Sequence, residues 1–202
     1  MPEEIDIDAL KSKDERAFRQ LVEAYGKAIY NLCLNLVSTS EDAEDLAQEA
    51  FIEAYNSINT FRADAQLKTW LYRIAINKCY DFLRWKKRKK RFSIMQPLYN
   101  KEDEPIELPS NFQHPGITLE NKETAKALFA ALETLPDHQQ SAFVLYEMQG
   151  MDYKQVSETL SVTVSSVEAL LFRARKSLRE KLENYYSSNT RNKKKYRQNN
   201  YI

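Results

Sequence analysis

Arg73, Asn77, Tyr80 and Arg84 follow one another at steps of four, three and four residues. On a helix that spacing gathers them onto one stripe, with Trp70 at its edge. Arginine can hold phosphate oxygens, asparagine can read a base edge, and tyrosine or tryptophan can stack on an unpaired base. Seven of the eight residues from Arg84 to Arg91 are basic, a density that no packed core accommodates. A basic helix end is by itself often no more than a solvated surface. Stripe and block together point to nucleic acid.

A second cluster lies in Asp152–Lys181. Tyr153, Val156 and Leu160 form the inner face of a short helix, Val162 sits at a turn, and Thr163 has the type and place of an N-cap for a longer helix. That second helix buries Val167, Leu170, Leu171, Ala174 and Leu178. It turns Ser165, Glu168, Ala169, Phe172, Arg175, Lys176 and Arg179 outward. This is helix-turn-helix spacing, with a polar and basic outer face suited to a major groove. An ordinary helical hairpin fits the same pattern, so the segment alone does not decide.

Groups for bond-making are missing from the sequence pattern. No nucleophile stands beside a base and no glycine loop could cradle phosphates. Cys33 and Cys79 sit among apolar helical positions as buried thiols, and His114 and His138 have no second ligand at useful spacing. The expectation is a protein that is not an enzyme and that uses no metal and no cofactor. No apolar run is long enough to cross a membrane, and a cytoplasmic protein without membrane insertion is expected.

The elements that must position these residues are helical. Of 202 residues 43% are hydrophobic and only 3 are glycine, which favours long helices over a sheet with many tight turns. Net charge is +1, but residues 1–60 carry 5 basic and 13 acidic side chains whereas 61–91 carry 11 and 2. A first helix is expected over about 14–37. Ser38, Thr39 and Ser40 cap a second, rich in early acids, which buries Ala43, Leu46, Ala47, Ala50, Phe51 and Ala54. Its outward face is Asp45, Gln48, Glu49 and Glu53. The basic helix then buries Leu67, Leu71, Ile74, Ala75, Cys79 and Phe82. Prolines and acids without sustained period mark residues 92–117 as a linker. Helix resumes near Thr118 and runs to Leu135, Pro136 opens another helix, and Gly150 closes it. Residues 187–202 read as a basic, disordered tail. The fold class expected is all-α, two helical domains at 10–91 and 118–186 joined by a flexible linker.

DAEDLAQEAFIEAY (42–55), FRADAQLKTWLYRIAINKCYDFLR (61–84) and LPDHQQSAFVLYEMQGMDYKQVSETLSVTVSSVEALLFRARKSLREKL (135–182) resemble regions 2 and 4 of bacterial extracytoplasmic-function (ECF) sigma factors. Nearly everything except linker and tail is covered, in the family's order. The resemblance implies an RNA polymerase sigma factor, a helical region 2 bundle followed by a region 4 helix-turn-helix. It would bind core polymerase, recognise −35 and −10 elements, help melt the −10 region and direct initiation. Asp45, Gln48 and Glu49 take the core polymerase role by this likeness. Phe61, Arg62, Ala63, Asp64, Trp70, Arg73, Asn77 and Arg84 match positions that meet the −10 strand, the loop 61–64 capturing a flipped base. Ser165, Ser166, Glu168, Ala169, Phe172, Arg173, Arg175 and Lys176 fall to the −35 groove. Core RNA polymerase, promoter DNA and an anti-sigma factor are the implied partners of a chain that is a monomer when free.

Two departures stand out. Relatives carry glycine where this turn has Ser161, and many carry a basic residue where Glu168 stands. Glu168 could accept from a cytosine amino group, or it could simply pair with Arg175 or Lys176 on the helix surface. A stand-alone helix-turn-helix repressor and a protein-binding adaptor remain the rival readings. The repressor has no use for the acidic helix and the base-capturing loop, and the adaptor none for the basic block and recognition helix.

Overall fold

The computed structural model describes the backbone of residues 5–62, 66–95 and 122–199, and the side chains of 5–62, 66–89 and 125–183. Eight α-helices follow one another among the described residues, with no strand between them: α1 Ile7–Lys11, α2 Glu15–Val37, α3 Ser40–Ser57, α4 Leu67–Met95, α5 Lys122–Glu133, α6 Asp137–Phe143, α7 Tyr153–Leu160 and α8 Val164–Asn199. The all-α expectation holds.

α1 to α4 form the amino-terminal bundle. Asp14 caps α2 by accepting from the Ala17 N–H at 2.9 Å, and the helix ends where Ser38 turns left-handed at φ 64°. Leu21, Ile29, Leu32, Cys33 and Leu36 along α2 are fully or almost fully buried. α3 meets them with alanines, Ala43, Ala47, Ala50 and Ala54, which let the backbones come close and leave its acids outside. The short α1 was not expected from sequence. Asp6 caps it, and Leu10 seals the bottom of the bundle at zero exposure.

α5 to α8 form the second domain. Pro136 and Gly150 bracket their helix as expected, but α6 ends at Phe143 and a single π-helical stretch, Val144–Met148, carries the chain to Gly150 at φ 65°. Asp152 and Gln155 make a reciprocal capping box on α7. Thr163 caps α8, its hydroxyl accepting from the Ser166 N–H at 3.2 Å. Between α7 and α8 Ser161 is left-handed, φ 56° and ψ 43°. A side chain costs roughly 1–2 kcal/mol there, so Ser161→Gly should raise the unfolding free energy of this domain by about 1 kcal/mol in denaturant melts followed by circular dichroism. An unchanged or lower midpoint would show that the serine side chain supplies compensating bonds.

Two boundaries differ from the sequence reading. α4 continues through Met95, so residues 92–95 belong to the basic helix and not to the linker; the rest of the expected linker, 96–117, and the expected helix start at 118–121 lie outside the described residues. α8 continues to Asn199, where a disordered tail was expected from 187. With no glycine or proline after Leu178, an established helix adds residues at little cost.

The two domains pack on each other. One apolar cluster runs from Leu71, Ala75 and Ile76 of α4 to Leu145, Met151, Val156 and Leu160 of the second domain. Gln140 of α6, 2% exposed, donates its Nε2 to the Asn35 and Leu36 carbonyls at 3.3 and 3.4 Å. Those carbonyls belong to the last turn of α2, which has no intrahelical donor for them. A side chain of one domain thus finishes a helix of the other.

Candidate nucleic-acid interface

The stripe on α4 is divided in two. Gln66, Thr69, Arg73, Ile76, Tyr80 and Lys87 lie along one line of the helix, and that line faces the second domain. Gln155 Nε2 donates to Gln66 Oε1 at 3.1 Å, Tyr80 Oη pairs with Ser141 Oγ at 2.9 Å, and Lys87 Nζ reaches Asp137 Oδ1 at 2.7 Å. The Arg73 guanidinium donates to the Glu158 carbonyl. Tyr72 beside this line donates to Gln149 Oε1 at 3.2 Å. Burial pushes the Tyr72 and Tyr80 phenols up to about 12. Tyr80, expected on an open face, is therefore covered.

Trp70, Asn77 and Arg84 occupy the neighbouring line. Thr60, Phe61, Arg62, Trp70, Arg73, Ile74, Asn77 and Glu158 enclose a cleft of about 590 Å³, room for a base. Arg62 and Asn77 are exposed at its mouth. Phe61 is 4% exposed and packs on Trp70 at 5.4 Å between ring centroids. Its ring packs against the half-buried tryptophan, and both line the cleft. Arg84 is exposed and paired with Asp81. Ala63 and Asp64 lie outside the described residues.

On α8, Ser165, Glu168, Phe172, Arg173, Arg175 and Lys176 are exposed, and Ser166 and Ala169 are half-buried. Phe172 stands 69% exposed, which in a packed domain asks for a partner. Arg175 does not pair with Glu168. Its Nη2 and Nε donate to Glu147 Oε1 at 2.7 and 3.0 Å, and its guanidinium lies over the Tyr146 ring. The Glu147 carboxylate raises the arginine pKa still further.

Asp45, Gln48 and Glu49 are all exposed on α3. Lysines of α4 take neighbouring acids, Lys86 with Asp42 at 3.7 Å and Lys78 with Glu53 at 3.2 Å. Among the described residues Asp45 and Glu49 have no ion pair. Ile52 beside them is 60% exposed, and the sequence reading had not marked it. No group of three or more potential metal ligands occurs among the described residues, and no described helix is long and apolar enough to cross a membrane.

The sigma-70 region 2 model matches residues 21–89, and the sigma-70 region 4 model matches residues 125–178. The ECF RNA polymerase sigma-E factor of Escherichia coli is 28% identical over 183 residues, 91% of this chain and 95% of its own length. The chain belongs to the ECF sigma factors. RNA polymerase sigma-H factor of Pseudomonas aeruginosa is 29% identical over 177 residues, 88% of this chain and 92% of its own. The fold is that of CnrH, solved in complex with the cytosolic domain of CnrY, at TM-score 0.64 and 23% identity over 88% of this chain and 95% of that one. It is also that of RpoE from Bartonella quintana, solved with the anti-sigma factor NepR, at TM-score 0.62 and 23% identity over 82% and 96%. As an ECF sigma factor the protein binds core RNA polymerase and directs initiation at promoters, the region 2 match falling on α2–α4 and the region 4 match on α5–α8.

Proposed function

We propose that this sigma factor divides its work among three surfaces. Asp45, Gln48 and Glu49 on α3 anchor it to core polymerase. Arg62, Trp70, Arg73, Asn77 and Arg84, with the loop 61–64, take the −10 strand after melting, Phe61 serving as the wall under Trp70. Ser165, Ser166, Glu168, Ala169, Phe172, Arg173, Arg175 and Lys176 meet the −35 element. The observation that carries this is the cleft of about 590 Å³, which joins an aromatic ring, two arginines and an exposed asparagine at one point. A base leaving the stack finds there a π face worth about 1–3 kcal/mol, an edge donor and acceptor, and cations for its phosphate. The chain itself makes and breaks no bonds; polymerase does that, and sigma supplies specificity and opening. The setting is the cytoplasm, where polymerase and promoter are. An anti-sigma factor is a further partner, in keeping with the complexes in which CnrH and RpoE were solved.

The engagement of Arg175 by Glu147 favours base readout by Glu168, because one of the two cations that could neutralise it is held elsewhere, leaving Lys176 as the other. A carboxylate on the exposed face accepts from a cytosine amino group and rejects edges that present acceptors. Glu168→Ala should abolish the preference at one −35 base pair, a loss of about 1–3 kcal/mol of discrimination, in initiation assays on promoter variants with the holoenzyme. A change uniform across all variants would make Glu168 a surface charge.

A further inference from the structure

An aromatic ring stands in the middle of the basic block of α4. Trp85 is 49% exposed and belongs to neither apolar cluster of the core. Its ring leans on the half-buried Phe82, 5.9 Å between centroids at 35°, and Lys89 Nζ lies 5.1 Å from its centre. Lys86 Nζ covers Phe82 in the same way at 5.5 Å. Arg84 and Arg88 are exposed on the line of α4 that Trp70 and Asn77 occupy, and Trp85 stands beside that line. A single exposed apolar side chain asks for no explanation. An indole pinned by a second ring and set among exposed cations is different, because it joins a flat apolar face to charge in one rigid place.

We propose that Trp85 stacks on the last base pair at the upstream edge of the melted segment, while Arg84, Arg88 and Lys89 hold the phosphates around it. This rests on the assignment of the cleft to the −10 strand. From Asn77 to Trp85 is about 12 Å along the helix axis, the rise of roughly three to four stacked base pairs. The ring is therefore within a few nucleotides of a base held in the cleft. α4 leads on to the domain that meets the −35 element, so its basic end lies on the upstream side. Charge selects the class of partner. Every residue from Arg84 to Lys89 except the tryptophan is basic, and the nearby acids Asp81, Asp42 and Asp137 are taken by Arg84, Lys86 and Lys87. Such a row suits phosphates. The indole in addition needs a flat face, and inside a duplex each base face is covered by its neighbours. A face comes free only where the duplex stops. Stacking there withdraws the indole from water and offsets part of the cost of the junction that opening creates. Trp85 thus governs how readily the −10 region stays open, and not which base is read.

Holoenzyme carrying Trp85→Ala, Trp85→Phe or Trp85→Lys separates stacking from charge. One labelled probe is a fork DNA, duplex as far as the upstream edge of the −10 region and single-stranded through it. The other is that single strand alone, and both are titrated by fluorescence anisotropy at one salt concentration. Trp85→Ala is expected to bind the fork about tenfold more weakly and the single strand as wild type does. Trp85→Phe should keep most of the fork affinity, because a ring remains. Trp85→Lys should lose it although a cation is gained. Fork affinity at or above wild type in Trp85→Lys would overturn the proposal and leave the block a phosphate binder. Unchanged fork affinity in Trp85→Ala would overturn it as well, and so would an equal loss on both DNAs, which puts the ring on the strand and not on the duplex end. Asn77→Ala, run alongside, tests the reading of the cleft and should weaken binding of both DNAs. If it weakens neither while Trp85→Ala still loses the fork, the cleft assignment fails and the ring contact stands.

Discussion

Glu49→Lys is expected to cut affinity for core polymerase by at least about tenfold, and the double reversal with Asp45→Lys by on the order of a hundredfold or more. Both acids are exposed on one face of α3 and unpaired among the described residues, so their charge is available to a cationic partner. Reversal exchanges attraction for repulsion at a docking surface, where like charges cost several kcal/mol. The fold has no stake in either side chain, because α3 is held by Ala43, Leu46, Ala47, Ala50 and Ala54 on its other side. Circular dichroism should therefore be unchanged while a polymerase pull-down or anisotropy titration shows the loss. Wild-type affinity in the Glu49→Lys protein would remove the anchor from α3.

Asn77→Ala should slow open-complex formation on a duplex promoter by roughly tenfold to a hundredfold, the rate equivalent of about 1–3 kcal/mol for one well-made base contact. Asn77 is exposed at the cleft mouth and carries none of the core, so the loss belongs to the strand and not to stability. On a template with the −10 region already unpaired the defect should shrink, since the contact no longer has to offset the unpairing of a base. Potassium permanganate footprinting of unpaired thymines, on both templates, makes the comparison. Equal opening by variant and wild type on the duplex would exclude Asn77 from strand capture.

What was legible in the sequence is what repeats at short range. The apolar periods of α2 and α3, the acids at the start of α3, Thr163 as a cap and Gly150 as a stop are local signals, and each holds. Ser161 was read as a strained residue in a turn that favours glycine, and its φ of 56° agrees. Illegible were the facts that depend on distant partners. Tyr72 and Ile76 are 1% and 2% exposed, although they fall off the apolar face of α4 as the period draws it. They are buried by another domain, and periodicity within one helix registers only a single buried side. Tyr80 was placed correctly on its stripe and wrongly in solvent for the same reason. Phe61 has its place in the base-capturing loop from the resemblance alone, and the packing of its ring on Trp70, across the turn between two helices, leaves no trace in a local period. α1 is five residues long, too short for any period, and Asp6 followed by an apolar Leu10 was its only trace.

The alanines of α3 have a consequence for how such a protein can diverge. Ala50 and Ala54 have no exposed surface, and every atom added there must push a whole helix outward. The inner side of α3 is accordingly closed to drift. On its outer side Asp45 and Glu49 make no ion pair among the described residues, and substitutions at these two positions are filtered by the partner alone. Two clocks thus run on one helix, a slow one set by packing and another set by how fast the enzyme it serves changes. When α3 is compared across descendants of this chain, the inner positions should record the age of the fold, and the outer ones the history of the association.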